Sequence, residues 1–262
     1  MRTDRLNQME AFILRNGTAS LYDLSRFFDI SLNTVRRDVT DLIKRGRIRK
    51  VYGGVSSLRS VDSLPYTTQL PLAERAEMHA EEKRTIGRLA ASLVEDGSVI
   101  FLDSGTTVPY MLPHLAGKKV RIVTHSLNVM TEAAMYPDLK VLGFGGQLNH
   151  ATYSLTGDVG VNYRSIRLQT LFMAATALSV EWGASNNTYE EFLMKTELVN
   201  LHTNVVVLAD SSKFGKNATY CYCPFSRIRG IVTDRRPDGD FMEAIQDNGI
   251  KLYYPEEEQS AP

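Results

Sequence analysis

From residue 98 onward, apolar runs that end in a polar loop and then give way to a helical pattern recur along the chain. "SVIFLDSGTT" (98–107) sets the form: a strand closing at Asp103, a loop of small residues, then a helix. "KVRIVTHSLNV" (119–129) repeats it, with a strand over 121–124. "LKVLGFGGQL" (139–148), "TLFMAATAL" (170–178), "TNVVVLADSSKFG" (203–215) and "RIRGIVTD" (227–234) supply the third to sixth strands, and "GIKLYY" (249–254) is a candidate seventh. Strands this uniformly apolar are buried on both faces, and helices between them make the crossovers. The spacing therefore predicts an α/β unit built on a mostly parallel sheet. Such sheets bind ligands at the carboxyl ends of their strands.

The residues at those ends suit an anion. Asp103, Ser104, Gly105, Thr106 and Thr107 offer hydroxyls and backbone N–H groups where a helix is expected to start. Thr124, His125, Ser126 and Asn128 form a second polar loop, and Gly145 belongs to the third strand. Lys195 falls in the helix after a Gly183–Asn187 loop, and Lys213 follows Asp210-Ser211-Ser212. Either amine can meet a phosphate or a carbonyl oxygen. Taken singly, each is an ordinary strand-to-helix turn or a solvated lysine; the combination suits a phosphate-like anion. The other histidines (His79, His114, His150, His202) read as surface or structural.

The first sixty residues differ in charge. They hold 12 Lys+Arg against 6 Asp+Glu, a balance of +6, whereas residues 61–262 hold 18 against 24. A basic head on an acidic body is the electrostatic footprint of nucleic-acid binding by a separate unit. Within that head Asp4 is placed to cap a first helix through Leu14, closed by Asn16-Gly17. Ser20 is placed to cap a second, LYDLSRFF, with Leu21, Leu24 and Phe27 or Phe28 inward. Asp29-Ile30-Ser31 then turns into a third, where Val35, Val39, Leu42 and Ile43 make an apolar stripe. Arg36 and Arg37 stand in its first turns, where the helix dipole favours acids, so a strongly negative partner is expected there. Two short helices joined by a tight turn make a helix-turn-helix, whose second helix enters the DNA major groove. Ser31 is its N-cap; Asn33, Thr34, Arg36 and Arg37 are its candidate DNA contacts. Asn and Arg can bond bidentately to base edges, and Thr34 and one arginine suit phosphates. Gly46 ends the helix, and "RIRKVYGGV" (47–55) reads as a β-ribbon turning at Gly53-Gly54, a wing with Arg45, Arg47, Arg49 and Lys50 on or beside it for phosphates.

Segment 56–83 begins with serines and carries Pro65 and Pro71. Its first half has no periodicity, and a helix is expected from about Leu72 toward Ala91. The expected division is a winged helix-turn-helix over 1–57, a linker over 58–80 and an effector domain over 81–262. The composition, 43% hydrophobic and 23% charged, is that of a soluble globular chain. No apolar run approaches the roughly 18 residues of a membrane span, and the N-terminus lacks a secretory signal, so a cytoplasmic location and no membrane partner are expected. Cys221 and Cys223 are too close for a structural disulfide and make a poor zinc site; neither metal nor cofactor is expected.

"LYDLSRFFDISLNTVRRDVTDLIKRGRIRKVYGGV" resembles the N-terminal signature of the DeoR family of bacterial transcriptional repressors, through Leu24, Phe28, Ser31, Thr34-Val35-Arg36-Arg37-Asp38, Leu42, Gly46 and the wing residues Tyr52, Gly53 and Gly54. In the second half, "EKRTIG" (82–87), "DSGTT", "THSLN", the Gly pair at 145–146, "LTG" (155–157), "LADSSKFG" and "IVTD" (231–234) fall in the family's order. The resemblance spans roughly residues 3–254. "NTVRRDV" with "KVYGGV" and "FMAAT" is similar to the inositol-operon repressor subgroup.

This resemblance implies an effector domain folded like the ribose-5-phosphate isomerases and glucosamine-6-phosphate deaminases. It also implies a phosphorylated sugar or polyol effector that alters affinity for double-stranded operator DNA, and a homodimer or homotetramer. Those isomerases carry an acidic residue after the strand matching 170–178; here no acid or base follows until Glu181, and neither Asp103 nor Asp210 has an evident partner histidine. The expected protein is a regulator and not an enzyme. The alternatives are an isomerase with an appended DNA-binding domain and a DNA-binding protein whose second domain only oligomerises.

Overall fold

The computed structural model describes residues 2–16, 18–45, 48–51, 54–57, 72–159 and 165–255, and the chain divides into two compact units, 1–68 and 69–262. In the first unit, helix α1 (Arg2–Asn16) starts two residues before the expected cap at Asp4 and buries Leu6, Met9 and Ile13, one stripe at helical spacing. Strand β1 (Thr18–Ser20) follows, then α2 (Leu21–Phe27), capped by Ser20 Oγ, which accepts the Asp23 N–H at 3.0 Å. Leu24 is fully buried, whereas Phe27 lies 65% exposed; Phe28 is the aromatic that turns inward. The turn to α3 (Leu32–Lys44) puts Asp29 at φ +50°, and Ser25 Oγ braces it by donating to the Ile30 carbonyl at 2.6 Å. Val35, Val39 and Leu42 of α3 are buried, each contributing about 1.5–3 kcal/mol on removal from water. Strands β2 (Ile48–Val51) and β3 (Gly54–Ser57) pair antiparallel as the wing, and β1 adds to the far side of β3. That third strand was not expected from three residues, TAS.

The second unit opens with α4 (Leu72–Glu77) and α5 (Ala80–Ser92). The single helix expected toward Ala91 is broken, because His79 adopts φ +55°. Seven parallel strands follow: β4 (Val99–Leu102), β5 (Arg121–Thr124), β6 (Lys140–Gly143), β9 (Thr170–Ala174), β12 (Val205–Leu208), β14 (Gly230–Val232) and β15 (Lys251–Tyr253). Their spatial order is β15-β14-β12-β9-β4-β5-β6. Successive residues of the inner strands serve opposite cores, whereas the edge strand β6 is exposed along its length. Ile100 and Leu102 face the cluster that includes Ile86, Ala90, Met111 and Val129, while Phe101 faces the one that includes Leu198, Val199, Tyr222 and Ile245. This is the both-faces burial that the apolar runs imply.

Two expected strands are each divided. Run 139–148 splits at the buried Phe144 into β6 and β7 (Gly145–Asn149), and β7 pairs antiparallel with β8 (Ser154–Val159). Run 170–178 splits at Ala175-Thr176 into β9 and β10 (Ala177–Ser179). The Gly183–Asn187 loop is a strand, β11 (Gly183–Asn186), held in an antiparallel sheet between β10 and β13 (Tyr220–Cys223). Helix α8 (Tyr189–Leu201) and helix α9 (Gly239–Asp247) complete the cover of one face. Both cysteines are free thiols. Among the described residues no helix is long and apolar enough to cross a membrane.

Candidate functional sites: an exposed helix face and a buried charge cluster

The third helix presents one polar face. Asn33, Arg36 and Arg37 are exposed, and Val35, Asp38 and Val39 are buried on the opposite side. Ser31 Oγ accepts the Thr34 N–H at 3.3 Å and lies 3.0 Å from Thr34 Oγ1, so these two hydroxyls fix the helix start. Asp38 does hold an arginine, but not a neighbour in its own helix: Arg5 Nε of α1 lies 2.8 Å from its Oδ2. Arg45, placed beside the wing by the sequence, instead donates to Asn7 Oδ1 at 2.9 Å and Glu10 Oε2 at 3.0 Å, a clasp between α1 and α3. Lys50 is exposed on β2. Arg49 and Gly54 lie on the paired strands of the wing. The positions of Gly46, Arg47, Tyr52 and Gly53, and the side chain of Arg49, lie outside the described residues.

In the second unit the order of strands reverses between β4 and β9. Strands β5 and β6 extend one way from β4, and β12, β14 and β15 extend the other way from β9. A crevice at such a switch point is where open α/β sheets place ligands. Asp103, the residue after β4, bridges that point: its Oδ2 accepts the Ala174 N–H of β9 at 2.8 Å. The same oxygen is 2.7 Å from Lys195 Nζ, which also donates to the Ala174 carbonyl at 3.1 Å and sits 4.9 Å from the centre of the Tyr222 ring. Burial works against the Lys195 charge, but Asp103 and Glu191 more than restore it and lift its pKa.

Glu191 is the second acid of the cluster. It accepts from Ser104 Oγ and Thr188 Oγ1, each at 2.7 Å, and from Asn186 Nδ2 at 3.3 Å. Burial alone would raise its pKa; Lys195 and the Thr188 and Ser104 hydroxyls overcome this and hold it at about 2. Sequence reading missed Glu191, although its i,i+4 spacing from Lys195 put both on one helix face. His125 Nε2 lies 3.8 Å from Asp103 Oδ1, so Asp103 does have a histidine neighbour. That ring is fully buried and stacks on Phe101 at 5.7 Å, and burial pushes its pKa down against the pull of Asp103.

Several expected ligand contacts are engaged elsewhere. Thr124 Oγ1 donates to the Leu102 carbonyl at 2.6 Å, and Ser126 Oγ caps helix α7 (Leu127–Ala133) by accepting the Val129 N–H at 3.2 Å. Asp210 caps the turn Ser211–Lys213 through the Ser212 N–H at 3.0 Å. Asn128, Gly145 and Lys213 are half-buried, as are Gly105 and Thr106; Thr107 is buried. The loop 104–107 does not open a long helix. It leads to a 3-10 turn, Val108–Met111, and a four-residue α6 (Leu112–Leu115), with Pro109 and Pro113 removing amide donors. Whatever anion affinity the loop has therefore owes little to a helix dipole.

Near Thr106 the structure places a further cation, Lys83, on a shared backbone carbonyl. Thr106 Oγ1 is 3.4 Å from the Arg75 carbonyl, and Lys83 Nζ donates to that same carbonyl and, at 3.5 Å, to that of Ala76. The Lys83 side chain is buried, and its pKa falls to about 8 because burial outweighs the pull of Asp210, with Lys213 and Arg75 adding repulsion. Sequence reading missed Lys83, although a lone lysine in register with the apolar stripe Ile86, Ala90 of α5 was a signal for it.

A winged helix-turn-helix followed by a parallel α/β unit with a polar site at its switch point defines a two-part, DNA-binding transcriptional regulator. The chain matches the DeoR-like helix-turn-helix domain over residues 5–61 and the DeoR C terminal sensor domain over residues 78–235. It is 33% identical to the HTH-type transcriptional regulator IolR of Bacillus subtilis (strain 168), over 97% of this chain and 99% of that protein. It is 27% identical to the glycerol-3-phosphate regulon repressor of Escherichia coli (strain K12), over 96% and 98%. It is likewise 27% identical to the HTH-type transcriptional repressor GlcR of B. subtilis, over 98% and 97%. Among solved structures, ribose 5 phosphate isomerase A of Neisseria gonorrhoeae is distantly similar: 18% identity, a TM-score of 0.38, and coverage of 52% of this chain and 53% of that one. The chain belongs to the DeoR family of transcriptional regulators.

Proposed function

We propose that this regulator represses a sugar or polyol catabolic operon, and that a phosphorylated sugar or polyol bound at the β4–β9 switch point changes its operator affinity without being chemically altered. The observation that carries the reading is the condition of the acids there. Isomerisation needs a carboxylate able to reach a substrate carbon. Asp103 is 0% exposed and tied to Lys195 and the Ala174 amide, and Glu191 is 5% exposed with Ser104, Thr188 and Asn186 on its oxygens. These groups brace the floor of the site. Recognition falls to the half-buried Gly105, Thr106 and Lys213 with the amides of the loop, and Asp103, Thr124, His125, Ser126 and Lys195 hold that loop in place. On the DNA side Asn33, Arg36 and Arg37 read base edges or phosphates, and the wing grips the backbone. A homodimer or homotetramer presenting paired winged helices suits inverted half-sites. The relatives named as repressors, one of them of a glycerol-3-phosphate regulon, support both halves of the reading.

The test is a thermal-shift panel of ribose 5-phosphate, glucosamine 6-phosphate and glycerol 3-phosphate beside their unphosphorylated forms. A ligand at a hundred times its Kd stabilises by about 2.7 kcal/mol. A rise confined to phosphorylated compounds, with no turnover of either sugar phosphate, is expected. Turnover would make the domain an enzyme. No rise with any of them would leave it without this effector class.

A further inference from the structure

Helix α4 is the first described element after the wing, on the stretch of chain that leads back to the DNA-binding unit. It is six residues long and buries no side chain. Its anchors are polar. Arg75 Nη2 donates to the Ala151 carbonyl at 3.0 Å, and the Arg75 carbonyl collects Lys83 Nζ and Thr106 Oγ1. At its far end His79, at φ +55°, breaks it from α5. A short segment with no buried side chain, next to a residue in a sparsely populated conformation, opens at little free-energy cost.

We infer that α4 is a displaceable strap: the phosphate of a bound effector takes Lys83 and Thr106 from the Arg75 carbonyl, and α4 lifts away from the site. This rests on reading the Thr106 loop as the effector's anion site. A carbonyl is a neutral acceptor, and a phosphate offers the same donors charge-assisted bonds roughly twice as strong. Lys83 also gains what it lacks, because the carbonyls it now meets do not offset the burial of its charge. Release then acts through the chain itself. Seven residues, 72–78, span about 10 Å as helix and up to about 24 Å extended. A longer tether lowers the effective concentration of a second winged helix at its half-site, so paired binding to an operator weakens with no change at the DNA-reading surface.

Hydrogen exchange on the full chain tests this, with inorganic phosphate and the three phosphorylated compounds above as probes. The expected result is slower exchange of amides in 103–108 together with faster exchange in 74–78, by about fivefold or more. Slowing of both segments would overturn the strap and leave the anion site standing. No change in either segment with any probe would overturn both. Lys83→Met is expected to show fast exchange in 74–78 and weakened operator binding without ligand, with Lys83→Arg restoring the closed pattern. Should Lys83→Met fail to fold, Thr106→Val reports the same release. A variant that exchanges fast at 74–78 yet binds operator like the parent would overturn the link to DNA.

Discussion

Lys195 Nζ lies 2.7 Å from Asp103 Oδ2, with the two side chains 4% and 0% exposed. One ammonium thereby ties α8 to the end of β4, and through Ala174 to the end of β9. Replacing it with a neutral side chain leaves two buried carboxylates without their cation. Lys195→Met is expected to destabilise the second unit by about 3–5 kcal/mol. Urea unfolding followed by the fluorescence of Trp182, the only tryptophan and a member of that unit, measures this. A loss under about 1 kcal/mol would show that the pair contributes no more than a surface contact.

Glu191 makes the same cluster sensitive to acid. Its pKa, about 2 in the folded chain, stands below the ordinary value of 4.5, so the folded state favours the ionised form. The associated stability is present above pH 4.5 and is lost as pH falls from there toward 2, about 3 kcal/mol in all. Glu191→Gln is expected to be less stable than the parent at pH 7 and to show a flatter decline between pH 5 and 2. Parallel curves for the two proteins would assign the acid sensitivity to other groups.

The sheet was legible because runs such as Ile100-Phe101-Leu102 declare burial on both faces, and the strand ends announced the polar loops. The interruptions were not legible. Phe144 and Ala175 keep their runs apolar while the backbone leaves the sheet, so hydrophobicity carries no mark of the break. Gly183–Asn186 has no β-branched residue, and its strand exists because β10 and β13 pair with it on both sides, a tertiary effect that local preference opposes. The site was half legible. The polar residues expected at the ends of β4 and β5 lie there, yet only packing shows that Thr124, Ser126 and Lys195 are engaged within the protein and that Lys83, from an apolar helix face, reaches the Arg75 carbonyl beside Thr106.

Gly105 has no room for a side chain. A Cβ there would stand 2.0 Å from the Ala174 Cβ, closer than carbon atoms approach without one of the two backbones moving. Gly105→Ala is expected to cost about 1–3 kcal/mol through overpacking and to displace the loop 104–107 from β9. The response of operator binding to a phosphorylated effector should fall at least about tenfold. Titration of labelled operator with and without the effector found in the panel measures this. A full response in Gly105→Ala would move the effector site away from this loop.

Substitutions at Arg36 and Lys50 test the proposed division between reading and gripping. Arg36 is exposed near the start of α3, in the part of a recognition helix that meets base edges, whereas Lys50 is exposed on the wing. A guanidinium that bonds a guanine edge contributes to one sequence only, so Arg36→Ala is expected to weaken operator binding by about 1–3 kcal/mol while affinity for random duplex changes little. A phosphate contact acts on every sequence and releases a counterion. Lys50→Ala is therefore expected to weaken both duplexes alike and to reduce the salt dependence of binding by about one unit of slope. Competition gel shifts across a salt series distinguish them. Equal losses on operator and random DNA for Arg36→Ala would reassign that arginine to the phosphates and leave base reading to Asn33 and Arg37.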